Sequence, residues 1–319
     1  MITPLPVRLA HDLDAQAEEH RWLIEGLWAT EAVGIVGGEP KCGKSFLALD
    51  VAVAVASGAP CLRRFRPART GRVLLFAAED ALHVVRARLA GIAEAAGVAF
   101  ATLDIQVITA PRVRLDLPED QQRLRETVAI LRPTLLVLDP FVRLHRIDEN
   151  AAAEVAPVLA YLRELERDFH TAVLLVHHAR QGAAHARAGQ ALRGSSELHA
   201  WGDSNLYLRR RGDVLCLAIE HRAAPSRDDL VVELRAEGAA LALHVVAGRS
   251  DGDRVSTPPS LALGERIAQV LAEANRPLTR RALRRVCRVR ASTLGPVLAR
   301  LLAEGCVTRS PAGYQLVPS

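Results

Sequence analysis

The sequence predicts an α/β fold with a mainly parallel sheet covered by helices, followed by a small separate domain. The first observation is that short, continuously apolar segments alternate with longer helical segments between residues 33 and 178. Such strands are typical of parallel sheets, because both faces of the sheet are buried under helices. The second observation is a polar, Pro- and Gly-rich stretch at 248–260. This stretch predicts a linker, which leaves residues 261–319 as the small domain.

The strands and helices of the larger domain follow one another in a regular order. The predicted strands are Val33–Val36, Arg72–Ala78, Ile105–Thr109, Thr134–Asp139 and Ala172–His177, and the predicted helices are Ser45–Ser57, Ala81–Ala96, Pro118–Leu131 and Ala151–Phe169. Four further segments of strand length predict a terminal β-meander that completes the sheet: Ser204–Arg209, Val214–Glu220, Leu230–Arg235 and Ala240–Val246. We expect this domain to cover residues 31–247, after an N-terminal segment at 1–30.

The tail at 261–319 predicts three helices and a short hairpin. The helices are expected at Leu263–Ala274, from Thr279 to Val286 with Thr279 as the N-cap, and at Arg290–Ala303. The hairpin is expected at 304–309 and 313–316. This order is typical of the winged-helix variant of the helix-turn-helix, whose third helix would enter a DNA major groove with Arg290, Ser292 and Thr293 near its start. Contact with another protein is the alternative role of such a domain.

Composition excludes several classes of protein. Half of the 319 residues are hydrophobic, which is too many for a disordered chain, and only 4% are aromatic, so the core must be aliphatic. Charges, glycines and prolines break every apolar stretch well below the ~20 residues that a membrane span needs. The N-terminus lacks the pattern of a secretory signal. The five cysteines are scattered without CxxC spacing, so we expect a cytoplasmic protein without disulfides or a zinc site.

The positive charge of the chain is concentrated in the tail. Residues 261–319 contain ten arginines and three acidic residues, a net charge of +7, whereas the preceding 260 residues carry a net charge of −2. A basic domain attached to a nearly neutral body suggests a nucleic acid as partner. The alternative is an arginine-rich surface that is merely solvated.

Both lysines of the chain, Lys41 and Lys44, lie in one glycine-rich motif, whereas the other 39 basic residues are arginines. The segment from Gly38 to Ser45 matches G-x-x-x-x-G-K-[ST] between a predicted strand and a predicted helix, the context of a phosphate-binding loop. Backbone N–H groups of such a loop surround the phosphates, the lysine reaches the β- and γ-phosphates and the serine hydroxyl binds Mg²⁺. The motif therefore predicts ATP and Mg²⁺ as ligands. The predicted nucleotide-binding residues are Gly38, Glu39, Pro40, Lys41, Cys42, Gly43, Lys44, Ser45 and Phe46.

Polar side chains at the ends of three other strands complete the predicted site. Asp139 ends a buried strand, as expected of a carboxylate that shares Mg²⁺ with Ser45; capping of the next turn is its alternative role. Glu79 follows another strand and is the candidate to orient the attacking water, with an ion pair as the alternative. His178 ends the next strand, where it would contact the γ-phosphate, whereas His177 is expected to face the opposite side.

Cys42 lies inside the predicted loop at the start of a helix. Helix N-termini favour thiolates, so the position predicts that alkylation of Cys42 blocks hydrolysis and that ATP protects the thiol. A small residue that simply fits the loop is the alternative.

These segments, in this order, resemble the RecA-like P-loop ATPases, specifically the RepA-type group of plasmid replicative helicases, and more distantly DnaB and RadA. The resemblance covers roughly residues 20–246. The segments that carry it are WLIEGLW, GGEPKCGKSFLALDVAVAVASG, LLFAAED, LLVLDPFVRLHRIDENAAAEV, LLVHHARQG and RGSSELHAWGDS. The resemblance implies a ring of subunits, with a hexamer as the expected form and ATP bound between neighbours. It also implies a catalytic glutamate at Glu79, a Walker B acid at Asp139 and a sensor histidine at His178.

The resemblance implies two further elements. One is a catalytic arginine that acts on the neighbouring subunit, which the DnaB- and RadA-like members carry in a K-x-R pair. Arg222 matches that arginine, whereas Glu220 stands at the lysine position, and the run Arg209, Arg210 and Arg211 offers rivals. The other is a loop at 180–196 that would face the central channel, where Arg180, Arg187 and Arg193 would contact single-stranded DNA; an ordinary surface loop is the alternative.

Three functions are compatible with this pattern. The first is a ring-forming ATPase that translocates on DNA or unwinds it in replication or in a mobile element. The second is an ATP-switched regulator that binds duplex DNA through the winged helix. The third, a small-molecule kinase, leaves the basic tail unexplained. Assembly and the form of DNA that stimulates hydrolysis would separate the first two.

Overall fold

The computed structural model describes residues 5, 7–12, 21–178, 196–211, 214–237, 240–246, 259–274, 276–287, 291–310 and 312–316. The chain divides into two compact units, Met1–Ala247 and Gly248–Ser319. None of the described helices combines the length and the apolar character needed to cross a membrane.

A nine-stranded sheet forms the centre of the first unit. Its strands are β3 (Val33–Gly38), β4 (Val73–Ala77), β5 (Ile105–Val107), β6 (Leu135–Asp139), β7 (Ala172–His178), β8 (Ser204–Arg211), β9 (Val214–His221), β10 (Arg227–Glu237) and β11 (Ala240–Val245). Their order across the sheet is β11-β10-β9-β8-β3-β7-β6-β4-β5, and the six strands from β8 to β5 are parallel. The strands β9, β10 and β11 continue the sheet as an antiparallel meander. The predicted parallel sheet with a terminal meander is confirmed.

Helices cover both faces of the parallel part of the sheet. Their bounds are α1 (Lys44–Ser57), α2 (Leu82–Ala95), α3 (Pro118–Leu131), α4 (Ala152–Phe169) and α5 (Ser196–Trp201). The buried side chains of α1 and α2 belong to one hydrophobic cluster, and those of α3 and α4 belong to another on the opposite face. Alternate residues of one strand supply both clusters: Val36 packs with the first, and Val33 and Ile35 pack with the second. The parallel strands are apolar throughout because each of them is buried on both sides.

A small hairpin precedes the sheet. Its strands are β1 (Trp22–Ile24) and β2 (Trp28–Ala29), and Leu23, Ile24, Leu27 and Trp28 are buried in the same cluster as α1. Residues 22–29 of the predicted N-terminal segment are therefore part of the first unit and supply side chains to its core. The apolar residues in WLIEGLW were visible in the sequence, but their packing partners were not, because the hairpin lies against distant strands.

The second unit contains three helices and a two-stranded hairpin. They are α6 (Pro259–Ala274), α7 (Arg280–Cys287), α8 (Ala291–Ala303), β12 (Val307–Ser310) and β13 (Gly313–Leu316), with the two strands antiparallel. A third cluster, which includes Ile267, Leu283 and Leu298, holds them together. The backbone N–H of Ala282 donates to Thr279 Oγ1 at 3.2 Å, which confirms the predicted N-cap of α7.

Candidate functional site

The loop between β3 and α1 has a backbone that only particular residues tolerate. Gly43 lies immediately before α1 with a φ of 92°, in the left-handed region that favours glycine. A Cβ atom at Gly38 would lie 2.5 Å from the carbonyl oxygen of Leu208 and 2.7 Å from Cys42 Sγ, so a side chain does not fit there. Lys41 also has a positive φ, 61°, although its side chain is exposed. The loop is therefore held tightly between α1 and β8.

Lys44 is the buried cation of this loop. It is only 5% exposed, and its Nζ donates to the carbonyl oxygen of Glu39 at 2.7 Å and lies 4.0 Å from Cys42 Sγ. Burial lowers the pKa of Lys44 from its ordinary value, although Cys42, Asp139 and other neighbouring groups oppose the shift. The structure thus places the two lysines differently: Lys44 is inside the loop and Lys41 is at its outer surface.

Cys42 does not have the environment that its position in the sequence suggested. The side chain is 2% exposed, and burial raises the pKa of its thiol despite the nearby Lys44 ammonium. Burial thus disfavours a thiolate at this position, because the loss of hydration outweighs the Lys44 charge and the backbone hydrogen bonds. The effect of alkylation on hydrolysis stays a prediction. Cys42 is a small side chain packed behind the loop.

Asp139 and Ser45 form the second part of the site. Asp139 is the last residue of β6 and accepts a hydrogen bond from the Ser45 side chain. Burial raises the pKa of Asp139 to about 6, and the neighbouring carboxylates of Asp80 and Glu79 add to the shift. The Lys44 ammonium and the Ser45 hydrogen bond offset only part of this shift, and a divalent metal would supply further positive charge.

The loop, Asp139 and the ends of other strands line one cavity of about 460 Å³. Lys44, Ser45, Asp139, Glu79 and His178 all line it. The residues fit ATP with Mg²⁺: the loop backbone and Lys44 suit phosphates, and the oxygens of Ser45 and Asp139 suit a hard cation. No group of three or more His, Cys, Asp or Glu side chains in the described residues is arranged to hold a metal by itself. A cation here would therefore complete its coordination with phosphate and water oxygens, as Mg²⁺ usually does.

Nucleotide affinity in Mg²⁺ should depend on the ionisation of Asp139. The folded pKa of about 6 lies above the ordinary value of 3.8, so the side chain takes up a proton as the pH falls through 6. Protonation removes the charge that holds the cation, so we expect the Kd of an Mg²⁺-bound ATP analogue to rise about tenfold per pH unit below 6. Calorimetric titration across this pH range measures it. The variant Asp139→Asn is the control, because the pH dependence that it retains comes from the nucleotide and from the other titratable groups of the cavity. Equal pH dependence in both proteins would contradict the prediction.

Protonation of Asp139 weakens the binding of Mg²⁺ and nucleotide, but it stabilises the folded protein when no ligand is bound. Because the folded pKa of Asp139 is raised, the folded state binds more protons than the unfolded state between the ordinary pKa and about 6. The free energy of unfolding of the ligand-free protein therefore decreases as the pH rises through this window. Ligand binding and ligand-free stability thus change in opposite directions with pH.

Glu79 and Asp80 stand at the cavity edge after β4, and each has an arginine partner. Arg143 Nε donates to Glu79 Oε1 at 2.8 Å, and both side chains are substantially exposed. Asp80 pairs with Arg88, whose guanidinium lies 5.2 Å from the centre of the Phe46 ring. The alternative role of Glu79 as an ion-pair residue is thus present, but exposed pairs are weak and leave the carboxylate available to a ligand. Sequence reasoning missed both arginines, although Arg143 lies in the segment LDPFVR that carries the resemblance.

His178 and His177 face opposite sides of β7, as predicted. His178 lines the cavity, and its pKa is lowered by burial first and by the Lys44 ammonium second, which makes the neutral imidazole the form at neutral pH. His177 is 1% exposed, and its ring packs edge-on against Phe141 with the ring centres 6.0 Å apart. A neutral His178 can donate one N–H to an oxygen in the cavity.

A buried cluster of His145, Glu149 and His177 lies behind His178. Glu149 Oε1 is 3.4 Å from His145 Nε2, and Glu149 Oε2 is 4.0 Å from His177 Nε2. Burial alone would raise the pKa of Glu149, but the two histidines and His178 outweigh it, so the pKa lies below its ordinary value. Glu149 comes from the segment between β6 and α4, so it ties this segment to the end of β7. Sequence reasoning noticed the DEN and HH segments but had no reason to join them.

Glu149 should act as a positioning residue for His178. We expect Glu149→Gln to reduce kcat for nucleotide hydrolysis by about 10- to 100-fold, because the end of β7 loses the charge that fixes its histidines. KM and melting temperature should change little, since the amide keeps the size and one hydrogen bond. The matched control is Asp148→Asn, the same chemical change in the preceding, exposed residue. An equal kcat in Glu149→Gln and Asp148→Asn would contradict the positioning role.

Arg222 lies in a different cavity from the phosphate loop. This second cavity, of about 340 Å³, is lined by Arg21, Trp22, Ala29, Thr30, Asp203, His221, Arg222, Ala223 and Ala224, and it shares none of these residues with the first. The Arg222 guanidinium donates to the carbonyl oxygen of Ala200 at 2.6 Å and lies 3.2 Å from Asp203 Oδ1, yet the side chain is 57% exposed. Arg222 therefore does not line the cavity of the phosphate loop, and its guanidinium stays partly exposed while it contacts Asp203 and the Ala200 carbonyl.

Among the three alternatives to Arg222, the structure describes the side chains of Arg209 and Arg210, and these two lie in different surroundings. Arg210 lines the cavity of its own chain, beside Leu215 and Leu243. Arg209 is half-buried and already engaged in contacts. The side chain of Arg211 lies outside the described residues. Sequence reasoning could not make this distinction, because it depends on which face of β8 meets the phosphate loop.

Most of the predicted DNA-binding residues lie outside the described part of the chain. Arg180, Arg187 and Arg193 belong to the segment 179–195, and Arg290 belongs to 288–290. Ser292 and Thr293 are in α8, but their side chains are outside the described set. Their contacts with DNA stay predictions.

Comparison with known proteins identifies the family and the fold. The family model described as an AAA domain matches residues 3–184, which is more than half of the chain and includes the phosphate loop, Glu79, Asp139 and His178. The structure is similar to a solved ATPase domain with a TM-score of 0.52 and 14% identity, over 67% of this chain and 86% of that one. It is also similar to a DnaB-like replicative helicase whose interactions with primase were studied, with a TM-score of 0.50 and 14% identity.

The second similarity covers 67% of this chain and 57% of the helicase. At this identity both similarities show the fold alone: a RecA-like, mainly parallel sheet with helices on both faces, as predicted. They do not extend to the RepA-type group or to the winged-helix assignment, which stay predictions. With the match over residues 3–184, the chain belongs to the AAA domain family of P-loop ATPases.

Proposed function

We propose that the protein is a ring-forming, ATP-driven DNA translocase or helicase of the replicative or mobile-element type. The observation that carries this proposal is the convergence of four strand ends on one cavity. The carboxyl ends of β3, β4, β6 and β7 bring the phosphate loop, Glu79, Asp139 and His178 together. Open parallel sheets bind their ligands at this edge of the sheet.

Each residue of the cavity has a role that its chemistry supports. Lys44 and the loop N–H groups would bind the phosphates, and Ser45 with Asp139 would hold Mg²⁺, which supplies neutralisation of phosphate charge when bound. Glu79 would orient the attacking water and accept its proton, once it leaves Arg143. His178, neutral at pH 7, would donate an N–H to a γ-phosphate oxygen. These roles together amount to nucleotide hydrolysis.

Assembly into a ring is supported by the position of Arg222. Two described arginines line the first cavity: Arg88, which pairs with Asp80, and Arg210, which lies two residues beyond Leu208, the β8 partner of Gly38. In a ring, a further positive charge at the γ-phosphate would come from the neighbouring subunit. The exposed Arg222 on a separate cavity would supply this charge to a neighbouring subunit. Head-to-tail contacts of this kind generate closed rings.

DNA as the substrate is supported by the charge of the chain and by its fold. The C-terminal residues 261–319 carry a net charge of +7, which suits a polyanion. The similarity to a DnaB-like replicative helicase suggests single-stranded DNA in the ring channel and a role in replication. The segment 180–196, with its arginines, would face that channel.

Two measurements on the full chain test the proposal. The mass in solution, with and without a non-hydrolysable ATP analogue, should show a ring that the analogue stabilises. The rate of ATP hydrolysis should rise several-fold with single-stranded DNA and less with duplex DNA. A monomer whose hydrolysis ignores both forms of DNA would overturn the proposal.

The second candidate is an ATP-switched regulator that binds duplex DNA. The observation that favours it is the independent C-terminal unit, three helices and a hairpin with a core of its own. If the unit is a winged helix, it would direct the ATPase to a duplex site. A regulator should hydrolyse ATP slowly, respond to duplex rather than to single strands, and prefer one DNA sequence.

A further inference from the structure

The strongest positive patch among the described residues of the C-terminal unit lies on and beside α7. Between Arg276 and Ala303 the chain has eight arginines and no acidic residue. Arg276, Arg280 and Arg284 are all exposed, and the last two are one helical turn apart on α7. Leu283 and Cys287 of the same helix are buried in the third hydrophobic cluster, so α7 is fixed to the unit with Arg280 and Arg284 exposed.

The helix α8, which was predicted to read DNA bases, presents a different surface. Its sequence ASTLGPVLARLLA contains no Lys, Asn or Gln and a single arginine. Ser292 and Thr293 are its other candidates for contacts with base edges, and their side chains lie outside the described residues. Leu294, Val297, Leu298 and Leu301 are buried. The described residues on the opposite side of α8 are the half-buried Gly295 and the exposed Ala299. These two described residues carry no side-chain group that distinguishes one base pair from another.

The one arginine of α8 is directed inward. Arg300 is 3.5 Å from Glu304, and a Cβ atom at Gly264 of α6 would lie 3.1 Å from its guanidinium. On the outer side, a Cβ atom at Gly295 would lie 2.7 Å from the Arg280 guanidinium of α7. The side chain that reaches over the outer face of α8 therefore belongs to α7.

We propose that the C-terminal unit binds duplex DNA mainly through contacts of the phosphate backbone with the α7 patch, which consists of Arg276, Arg280 and Arg284, so that its affinity does not depend on base sequence. The inference rests on the proposed function, since it takes DNA as the partner, and it assigns the contact to phosphates. Arginines on an exposed helix turn are about 5–6 Å apart, so neighbouring side chains can meet neighbouring backbone oxygens. Binding of this kind is independent of sequence and would attach a motor to DNA instead of directing a regulator to one site.

Binding of labelled duplex DNA to the full chain, without nucleotide, tests the assignment. Affinities are measured for two unrelated sequences between about 50 and 200 mM salt. We expect equal affinities for both sequences. Arg284→Ala should weaken binding several-fold on both and reduce the slope of log affinity against log salt by about 1, the effect of one lost phosphate contact. Arg284→Lys should keep most of the affinity, because a phosphate needs charge more than a planar fork.

The matched control is Ala299→Asp, which changes the net charge by the same amount on the outer face of α8. We expect it to weaken binding less than Arg284→Ala does. A larger loss with Ala299→Asp, a strong preference for one of the two sequences, or unchanged binding in Arg284→Ala would each overturn the inference. Arg276→Ala, which lies before α7, repeats the test in case Arg284→Ala unfolds the helix. Hydrolysis is measured separately on the unaltered protein, so failure of the ATPase proposal would leave the binding result readable.

Discussion

Replacing Lys44 with alanine or arginine should reduce ATP hydrolysis by about 10³-fold, the largest effect that we expect of any single substitution in the phosphate loop. The alanine removes the ammonium. The arginine keeps the charge but has to place a larger, planar group where Lys44 is 5% exposed and lies 4.0 Å from Cys42 Sγ. Steady-state hydrolysis and binding of a fluorescent ATP analogue measure the two consequences.

Lys41→Arg is the matched control, because it makes the same conservative change three residues earlier in the same loop. The Lys41 side chain is exposed, so a larger arginine fits there. The positive φ of Lys41 strains lysine and arginine equally, because it depends on the backbone and the Cβ atom and not on the charged group. We expect hydrolysis within about twofold of the parent, the range of a solvated charge. Equal losses of hydrolysis in Lys41→Arg and Lys44→Arg would contradict the assignment of phosphate binding to Lys44 alone.

Replacing Arg222 with alanine should reduce hydrolysis by the assembled protein by about 10³-fold, the effect of a lost trans-acting arginine. Nucleotide affinity should change much less, because Arg222 does not line the cavity of its own chain. Arg222→Lys should recover only part of the rate, since the ammonium lacks the planar fork. The mass in solution must show that the variant still assembles.

Mixing two inactive variants distinguishes action on a neighbour from action within one chain. Subunits with Arg222→Ala keep Glu79, and subunits with Glu79→Gln keep Arg222. In a randomly mixed ring, about a quarter of the interfaces would combine the intact Glu79 of one subunit with the intact Arg222 of its neighbour, so hydrolysis should reappear. No recovery in mixed rings, or parental hydrolysis by rings of Arg222→Ala alone, would contradict the trans role and would return attention to Arg209 and Arg211.

The larger domain shows how far local pattern determines a fold. The strands β4, β6 and β7 could be predicted closely because each is a short apolar run between helices, and both signals lie in adjacent residues. The N-cap Thr279 was predictable for the same reason, since a cap and its helix are neighbours in the chain. The hairpin β1–β2 was not predictable, because its two very short strands are stabilised by burial against distant parts of the sheet.

The candidate site also contains some features that the sequence predicted and others that only the structure revealed. The phosphate loop depends on contiguous residues, and the rule that parallel strands carry polar groups at their carboxyl ends pointed to Glu79, Asp139 and His178. The sequence did not reveal that Arg143 pairs with Glu79 across 64 positions, because an ion pair between distant residues leaves no periodic signal. It also suggested a reactive Cys42, because a helix N-terminus is visible in a sequence and burial of a thiol is not.

By itself the sequence determined the fold class, the phosphate loop with Lys44 as its ammonium, and the excess of positive charge in the tail. These properties depend on composition and on neighbouring residues, which the order of residues states directly. Only the tertiary structure decided that Glu149 joins His145 to His177, that Arg222 and Arg210 line different cavities, and that Arg280 and Arg284 of α7 are exposed while Arg300 of α8 is half-buried. The physical reason is that burial and contacts between distant residues arise from packing, and packing brings together side chains that the chain keeps apart.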